Sequence, residues 1–317
     1  MNIYPWLYDS ANLLSCQWQA GRLHHAVMFS GSIGLGKGQL AQIIGSGLLC
    51  FDRHDLTSCG QCKSCLLVNA GNHPDMLVVE MGEKPLGIDD IRKINKFLQQ
   101  SGLISKRRVV VIKALEHMTV EAANGLLKTM EEPNKNGYLM LCCHQTDKLL
   151  PTIVSRCFKL AITAGDRQSA YQWVLSQEIA QIEGQGVSLQ QFDALYDLSH
   201  QAPLTVLTYL AEGKLTIYDQ LLKKISAWQQ GQLPLLALKD DMLDDDFALK
   251  AVIFMLHNVL KDFIVQQVNQ AGDSFFAIER IISQLTDFSR DGQQIIGQNK
   301  SLALIRVLNQ IDSAWPR

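Results

Sequence analysis

Through about its first 160 residues the sequence alternates short β-rich runs with stretches of helical periodicity, and no other feature constrains the fold as strongly. Strands joined through helices come out parallel, with helices covering the sheet. The runs are 26–30, 76–80, 108–112, 138–143 and 157–160. Between them, Ile88, Ile91, Ile94, Phe97 and Leu98 form one apolar stripe; Ala122, Ala123, Leu126, Leu127 and Met130 form another, with Thr119 as its N-cap. Beyond about Gly165 the β signal fades, and 170–175, 189–198 and 203–210 read as three short helices. From Lys214 onward amphipathic stretches dominate, including 248–268 and a last one marked by Leu302, Ile305, Leu308 and Ile311. The expected architecture is an α/β domain over 1–164, a small helical domain over 165–212 and an all-α domain over 213–317. Asp240, Asp241, Asp244, Asp245 and Asp246 are expected in a solvated loop or helix start, not at a metal.

With 317 residues and 47% apolar content the chain can bury large cores, and no apolar run approaches the roughly 18 residues that would span a bilayer. Lysine and arginine total 29 against 31 acids, so no overall basic charge is available to hold nucleic acid by counterion release. The one dense cationic cluster, Lys106-Arg107-Arg108, is expected to be a solvated turn at a strand edge. The start MNIYPWLYDS lacks a charged n-region followed by an apolar h-region, which leads to the expectation of a cytoplasmic protein with reduced thiols and no membrane association.

Half of the eight cysteines, Cys50, Cys59, Cys62 and Cys65, fall within one short segment with C-x8-C-x2-C-x2-C spacing. Two C-x2-C steps sharing Cys62 can aim three sulfurs at one point, and Cys50 closes a four-thiolate shell suited to tetrahedral Zn2+. With all four ligands from protein the site is expected to be structural; His54 is a possible substitute ligand. The segment FDRHDLTSCGQCKSC has few apolar residues and needs such a centre to fix its shape. Cys16, Cys142, Cys143 and Cys157 read as small core residues.

The Gly-rich turn GSIGLGKG follows the first strand and opens a helix, as a P-loop does. In such loops glycines let backbone N–H groups face phosphate oxygens, a lysine reaches the outer phosphates and the next hydroxyl residue binds Mg2+. Gly31, Gly36 and Lys37 fit that pattern, whereas Gly38 replaces the hydroxyl residue. A phosphoryl-transfer site also needs a carboxylate at the end of a later strand. After RRVVVI the chain places Lys113 there, and Glu116, farther on, reads as an exposed turn residue. The loop is thus expected to keep its shape without hydrolysis, and ATP or ADP binding stays open because Lys37 and the glycines remain.

RLHHAVMFSGSIGLGKG, the cysteine segment, GNHPDM, AANGLLKTMEEP and LLPTIVSRC occur in that order. In order and spacing they resemble the delta-prime family of bacterial DNA polymerase III clamp-loader subunits. The resemblance spans the first domain; the C-terminal half is similar only in length and class. It implies a RecA-like AAA+ domain with an inserted zinc module, a three-helix lid and a helical collar used for oligomerisation. It also implies a subunit that does not hydrolyse ATP, working with gamma/tau ATPase subunits and the delta subunit to place the sliding clamp on primer-template DNA. Ser155-Arg156-Cys157 matches the family's SRC motif, whose arginine enters a neighbouring subunit's ATP site, so Arg156 is implied to be catalytic in trans. Thr205 stands near where active relatives carry an arginine that senses the γ-phosphate. Two other functions would fit parts of the sequence: an autonomous P-loop ATPase and a zinc-dependent DNA-binding module.

Overall fold

The central strands are buried almost throughout, β3 (Arg108–Ile112) at each of its five positions, because helices cover both faces of the sheet they form. The computed structural model describes residues 3–52, 56, 58–80, 85–113, 115–177, 187–266, 280, 283, 285–286 and 298–315. Among these, β1 (Ala26–Ser30), β2 (Met76–Val79), β3, β4 (Gly137–Cys143) and β5 (Phe158–Ala161) make one parallel sheet in the order β2-β3-β4-β1-β5. Boundaries shift slightly from the sequence expectation. Strand β2 stops at Val79, β4 starts at Gly137 opposite Arg108, and β5 starts after Cys157, its Ala161 pairing with Ser30 at the end of β1.

Helices α1 (Tyr8–Gln19), α2 (Lys37–Leu49), α3 (Lys63–Asn69), α4 (Ile88–Gln99), α5 (Val120–Glu131) and α6 (Pro151–Val154) accompany the sheet. Ile91, Ile94 and Leu98 of α4 share one core with Ala122, Ala123, Leu126 and Met130 of α5 and with Val110, Ile112, Leu139 and Leu141 of the sheet. Thr119 Oγ1 accepts the Ala122 N–H at 3.2 Å and caps α5 as expected. Cys142 and Cys143 are buried in β4, but Cys16 is exposed: on α1 the core-facing positions are Ala11 and Leu14, and Cys16 falls outside that stripe.

The motif GNHPDM organises the approach to β2. Fully buried Asp75 accepts the backbone N–H groups of Leu103, Ile104 and Ser105 at 2.6, 2.8 and 2.7 Å, and Arg108 Nη2 lies 3.9 Å from it. His73 Nδ1 accepts the Asp75 N–H at 3.0 Å, so its Nε2 donates to Ser64 Oγ at 2.9 Å, and Ser64 donates to the Leu49 carbonyl at 2.8 Å. The cluster Lys106-Arg107-Arg108 is not the solvated turn expected. Arg108 is buried, donates twice to the Ser101 carbonyl and covers the Phe97 ring; Arg107 stacks over Trp18 at 4.5 Å.

The chain forms two compact units, Met1–Gln177 with Ser199–Val206, and Glu178–Leu198 with Leu207–Arg317. The three short helices occur as α7 (Arg167–Leu175), α8 (Leu189–Leu198) and α9 (Pro203–Ala211), followed by α10 (Lys214–Gln229), α11 (Lys239–Asp244), α12 (Asp246–Gln266) and α13 (Gln298–Ala314). Asp240 and Asp241 lie in the first turn of α11, Asp244 ends that helix, and Asp245 and Asp246 lead into α12; Asp241 pairs with Lys224, Asp245 with Lys214 and Asp246 with Lys250. On α13 the buried residues are Leu304, Leu308 and Ile311, whereas Leu302 is 63% exposed. Residues 267 and 268, at the end of the expected 248–268 stretch, lie outside the described residues, as does His54. No described helix is long and apolar enough to cross a membrane.

Candidate functional site

Adjacent parallel strands β1, β3 and β4 bring three connections to one edge of the sheet, where α/β folds bind ligands. The loop after β1 rises through Gly31, Gly34 and Gly36, each at positive φ, and enters α2 with Gly36 as N-cap. Lys37 is 3% exposed, and its ammonium donates to the loop's own Gly31 and Ser32 carbonyls at 2.6 Å each. Burial pushes that ammonium down to about 8, against the opposing pull of Cys142, Glu116 and Cys143. The remaining carbonyls are also engaged: Ile33 by Thr205 Oγ1 at 3.0 Å, Gly34 by the Leu204 N–H at 3.2 Å and Leu35 by Trp6 Nε1 at 3.0 Å. Thr205 therefore supports the loop directly, and at its position there is no cation.

Tyr4 stacks on Trp6 with ring centroids 5.1 Å apart, and Trp173 meets both edge-on. The Tyr4 ring lies so close to Gly36 that a Cβ there would stand 2.6 Å from it, so the glycine serves close packing as well as its left-handed backbone. This aromatic cover is not legible in the sequence, because Trp173 lies far along the chain from Tyr4 and Trp6.

On the side where a P-loop holds its metal, the structure has a lysine stem. A Cβ at Gly38 would lie 3.0 Å from Lys113 Cε and 3.4 Å from its Cδ, and the Lys113 ammonium continues to Glu80 Oε1 at 2.5 Å. The missing hydroxyl and the misplaced cation are thus one packed arrangement. Glu116 is not the exposed turn residue expected: it is half-buried, its Oε1 accepts the His144 N–H at 3.0 Å, and its Oε2 and His144 Nδ1 are buried without a hydrogen-bond partner among the described residues. It is placed there because the chain after β3 curls through a short 3₁₀ turn, Leu115–His117, back toward the end of β4. Burial and then the Lys37 charge push the His144 imidazole down, favouring its neutral form.

The four cysteines converge. Their sulfurs lie within 4.8 Å of one another, with Cys50–Cys62 and Cys59–Cys65 at 3.9 Å and Cys62–Cys65 at 3.5 Å. A tetrahedron with Zn–S bonds of about 2.3 Å has edges of about 3.8 Å, so this donor set fits zinc. Backbone N–H groups of Cys59, Cys62 and Cys65 point at Cys50, Cys59 and Cys62 sulfurs, each at 3.4 Å, a pattern suited to thiolates. Burial opposes ionisation of Cys62, but hydrogen bonds from the Phe51 and Cys65 backbone and from the Cys65 and Cys59 thiols outweigh it and hold the thiol at about 6, whereas burial pushes Cys65 up to about 12. Sequence reading did not find the outer support, which is the Ser64–His73 pair tying α3 to the end of α2 beside Cys50.

Arg156 follows α6 and is only partly exposed. Its Nη2 pairs with Glu131 Oε1 at 2.5 Å and its Nη1 donates to the Thr152 carbonyl at 3.0 Å. Ser155 Oγ donates to the same carbonyl at 3.1 Å and helps close the turn. The arginine thus has a local acid as partner within its own chain. Neither of these contacts joins Arg156 to the phosphate loop.

A family model described as DNA polymerase III, delta subunit, matches residues 8–165. DNA polymerase III subunit delta' of Yersinia pestis is 36% identical over 70% of this chain and 65% of its own length. The corresponding protein of Pseudomonas aeruginosa is 38% identical over 55% of this chain and 52% of its own, and that of Haemophilus influenzae 30% identical over 74% and 69%. The chain therefore spans about half to two-thirds of the length of these curated relatives.

Proposed function

The chain belongs to the DNA polymerase III delta-prime family, and from that premise we propose that it is the non-hydrolysing delta-prime subunit of a cytoplasmic clamp loader. Its partners in this reading are gamma/tau ATPase subunits and delta, and through the complex the sliding clamp and primer-template DNA. In this reading residues 1–164 form the RecA-like AAA+ domain, residues 165–212 the lid and 213–317 the collar through which subunits join. Cys50, Cys59, Cys62 and Cys65 hold a structural zinc ion, which fixes the fold of their segment.

The observation that carries the non-hydrolysing assignment is the Lys113 stem against Gly38. Gly31, Gly36 and Lys37 keep the shape of a phosphate loop, but Lys37 is held by the loop's own carbonyls and the metal side is filled by a cation. Catalysis of phosphoryl transfer rests on metal and positioned charge, so loop geometry without that metal does not suffice. Gly38→Thr alone should therefore give no Mg2+-dependent ATP binding, because the new side chain meets the Lys113 methylenes. Equilibrium binding of labelled ATP with and without Mg2+ checks this; Mg2+-dependent binding by Gly38→Thr would contradict it.

Arg156 is the chemical contribution the subunit makes to its neighbour. A fixed guanidinium stabilises charge on the transferring phosphoryl group, and such arginines raise turnover at the site they serve by about 10³–10⁵. The partly exposed setting of Arg156 on the α6 turn supports an outward reach, since a surface ion pair of this kind is worth only about 0–1 kcal/mol and can be given up.

A further inference from the structure

Building on the assignment of Arg156 as an arginine that serves a neighbour, we infer that Glu131 is a positioning residue that holds this arginine against its own subunit in competition with the neighbour's ATP site. Helix α5 ends in Glu131, followed by Glu132, so two carboxylates stand at the helix end that already carries partial negative charge. The last turn has only Lys128 as a basic residue, and the Met130 carbonyl is engaged by His25 Nε2 at 3.0 Å, which fixes the helix end in place. An acid in this position is unfavourable alone and favourable with a cation beside it. Arg156 is that cation.

Both terminal nitrogens of the guanidinium are committed within the chain, Nη2 to Glu131 and Nη1 to the Thr152 carbonyl. To present its terminal edge to a phosphate in the bidentate manner that arginine favours, the side chain gives up at least one of these acceptors. The carboxylate is the stronger of the two, so it sets the bias toward the parked state. Because the pair is half-exposed, that bias is small, about 1.5- to five-fold in population, and is weakened by salt. A bias of this size suits a reversible hold and not a lock.

The test uses the complete clamp loader reconstituted from this chain and its ATPase and delta partners, measuring ATP turnover before DNA is added. Glu131→Gln should raise that turnover about 1.5- to five-fold, with the gain shrinking as salt is added, and should change nothing in an Arg156→Ala background. A decrease, no change, or an equal gain in the Arg156→Ala background would overturn the positioning role. If Arg156→Ala lowers turnover while Glu131→Gln does not alter it, only the positioning role fails. If Arg156→Ala itself has no effect, the arginine assignment fails and takes the positioning role with it.

Discussion

Cys62→Ser should yield a chain that purifies without zinc and in which residues 50–69 no longer hold their fold. Cys62 has two structural duties, since its sulfur closes the four-thiolate set and also caps α3 by accepting the Cys65 N–H. Among the described residues of this segment, Leu56 is the one fully buried apolar side chain outside the cysteines, anchored by its N–H on Ser15 Oγ. Zinc binding in small thiolate sites contributes about 10–16 kcal/mol near neutral pH, and where no core exists that free energy is the folding free energy. The loss should be local at first, as susceptibility of the loop to proteolysis. It should then spread to α3 and the Ser64–His73 link. Metal analysis and limited proteolysis of wild type and variant check this. One zinc per wild-type chain and none in a protease-sensitive variant is expected; a metal-free wild type with an ordered loop would contradict it. Since thiolates are the ligands, zinc affinity falls as pH falls.

Asp75→Ala should destabilise the first unit by about 3–5 kcal/mol, the scale for stripping a buried charge from its partners. Three backbone N–H groups lose their acceptor, and Arg108 keeps its charge without the nearby carboxylate. The same interactions give a pH dependence whose sign can be worked out. Burial tends to raise the Asp75 pKa, but the N–H groups of Leu103, Ser105 and Ile104 and the Arg108 charge outweigh it and hold it below the usual carboxylate value. A carboxyl group with a depressed folded-state pKa stabilises above its unfolded-state pKa, and that stability is lost as pH falls through the folded-state value. Wild type should therefore lose stability below about pH 4 more steeply than Asp75→Ala does. Urea midpoints from pH 7 to pH 3 check both parts, and equal midpoints for the two chains at pH 7 would contradict the assignment.

The sheet was legible because buried parallel strands are long apolar runs, a signal that local reading captures. The cysteine module was legible for a similar reason, since its ligands are close in sequence. Reading failed where distance or geometry intervened. Glu116 looks like an ordinary turn acid until the chain curls back and sets it beside His144, 28 residues on. Arg108 looks like one of three surface cations until it covers Phe97 and meets Ser101. On α13, the stripe through Leu302, Ile305, Leu308 and Ile311 uses steps of three residues, each about 60° short of a full turn in a 3.6-residue helix. Over three steps the drift reaches about 180°, which puts Leu302 opposite Ile311 and leaves Leu304, Leu308 and Ile311 as the buried set.

The Gly38–Lys113 contact explains why two departures from a phosphate-binding pattern occur together. Each alone would leave the other's side chain badly placed, either a hydroxyl residue against the lysine stem or a glycine beside an empty metal-side space. Together they form a packed surface closed by Glu80. In the proposed reading the loop is a scaffold element, and Arg156 at the α6 turn is the group that acts on a neighbour.

The most direct measurement is ATP turnover by the purified chain alone, then by the chain mixed with the ATPase subunits, delta, clamp and primed DNA, each with wild type and Arg156→Ala. No turnover is expected from the chain alone, and turnover in the mixture should fall several-fold with Arg156→Ala while assembly is preserved. Turnover by the chain alone that disappears with Lys37→Ala would contradict this and make the protein an ATPase in its own right.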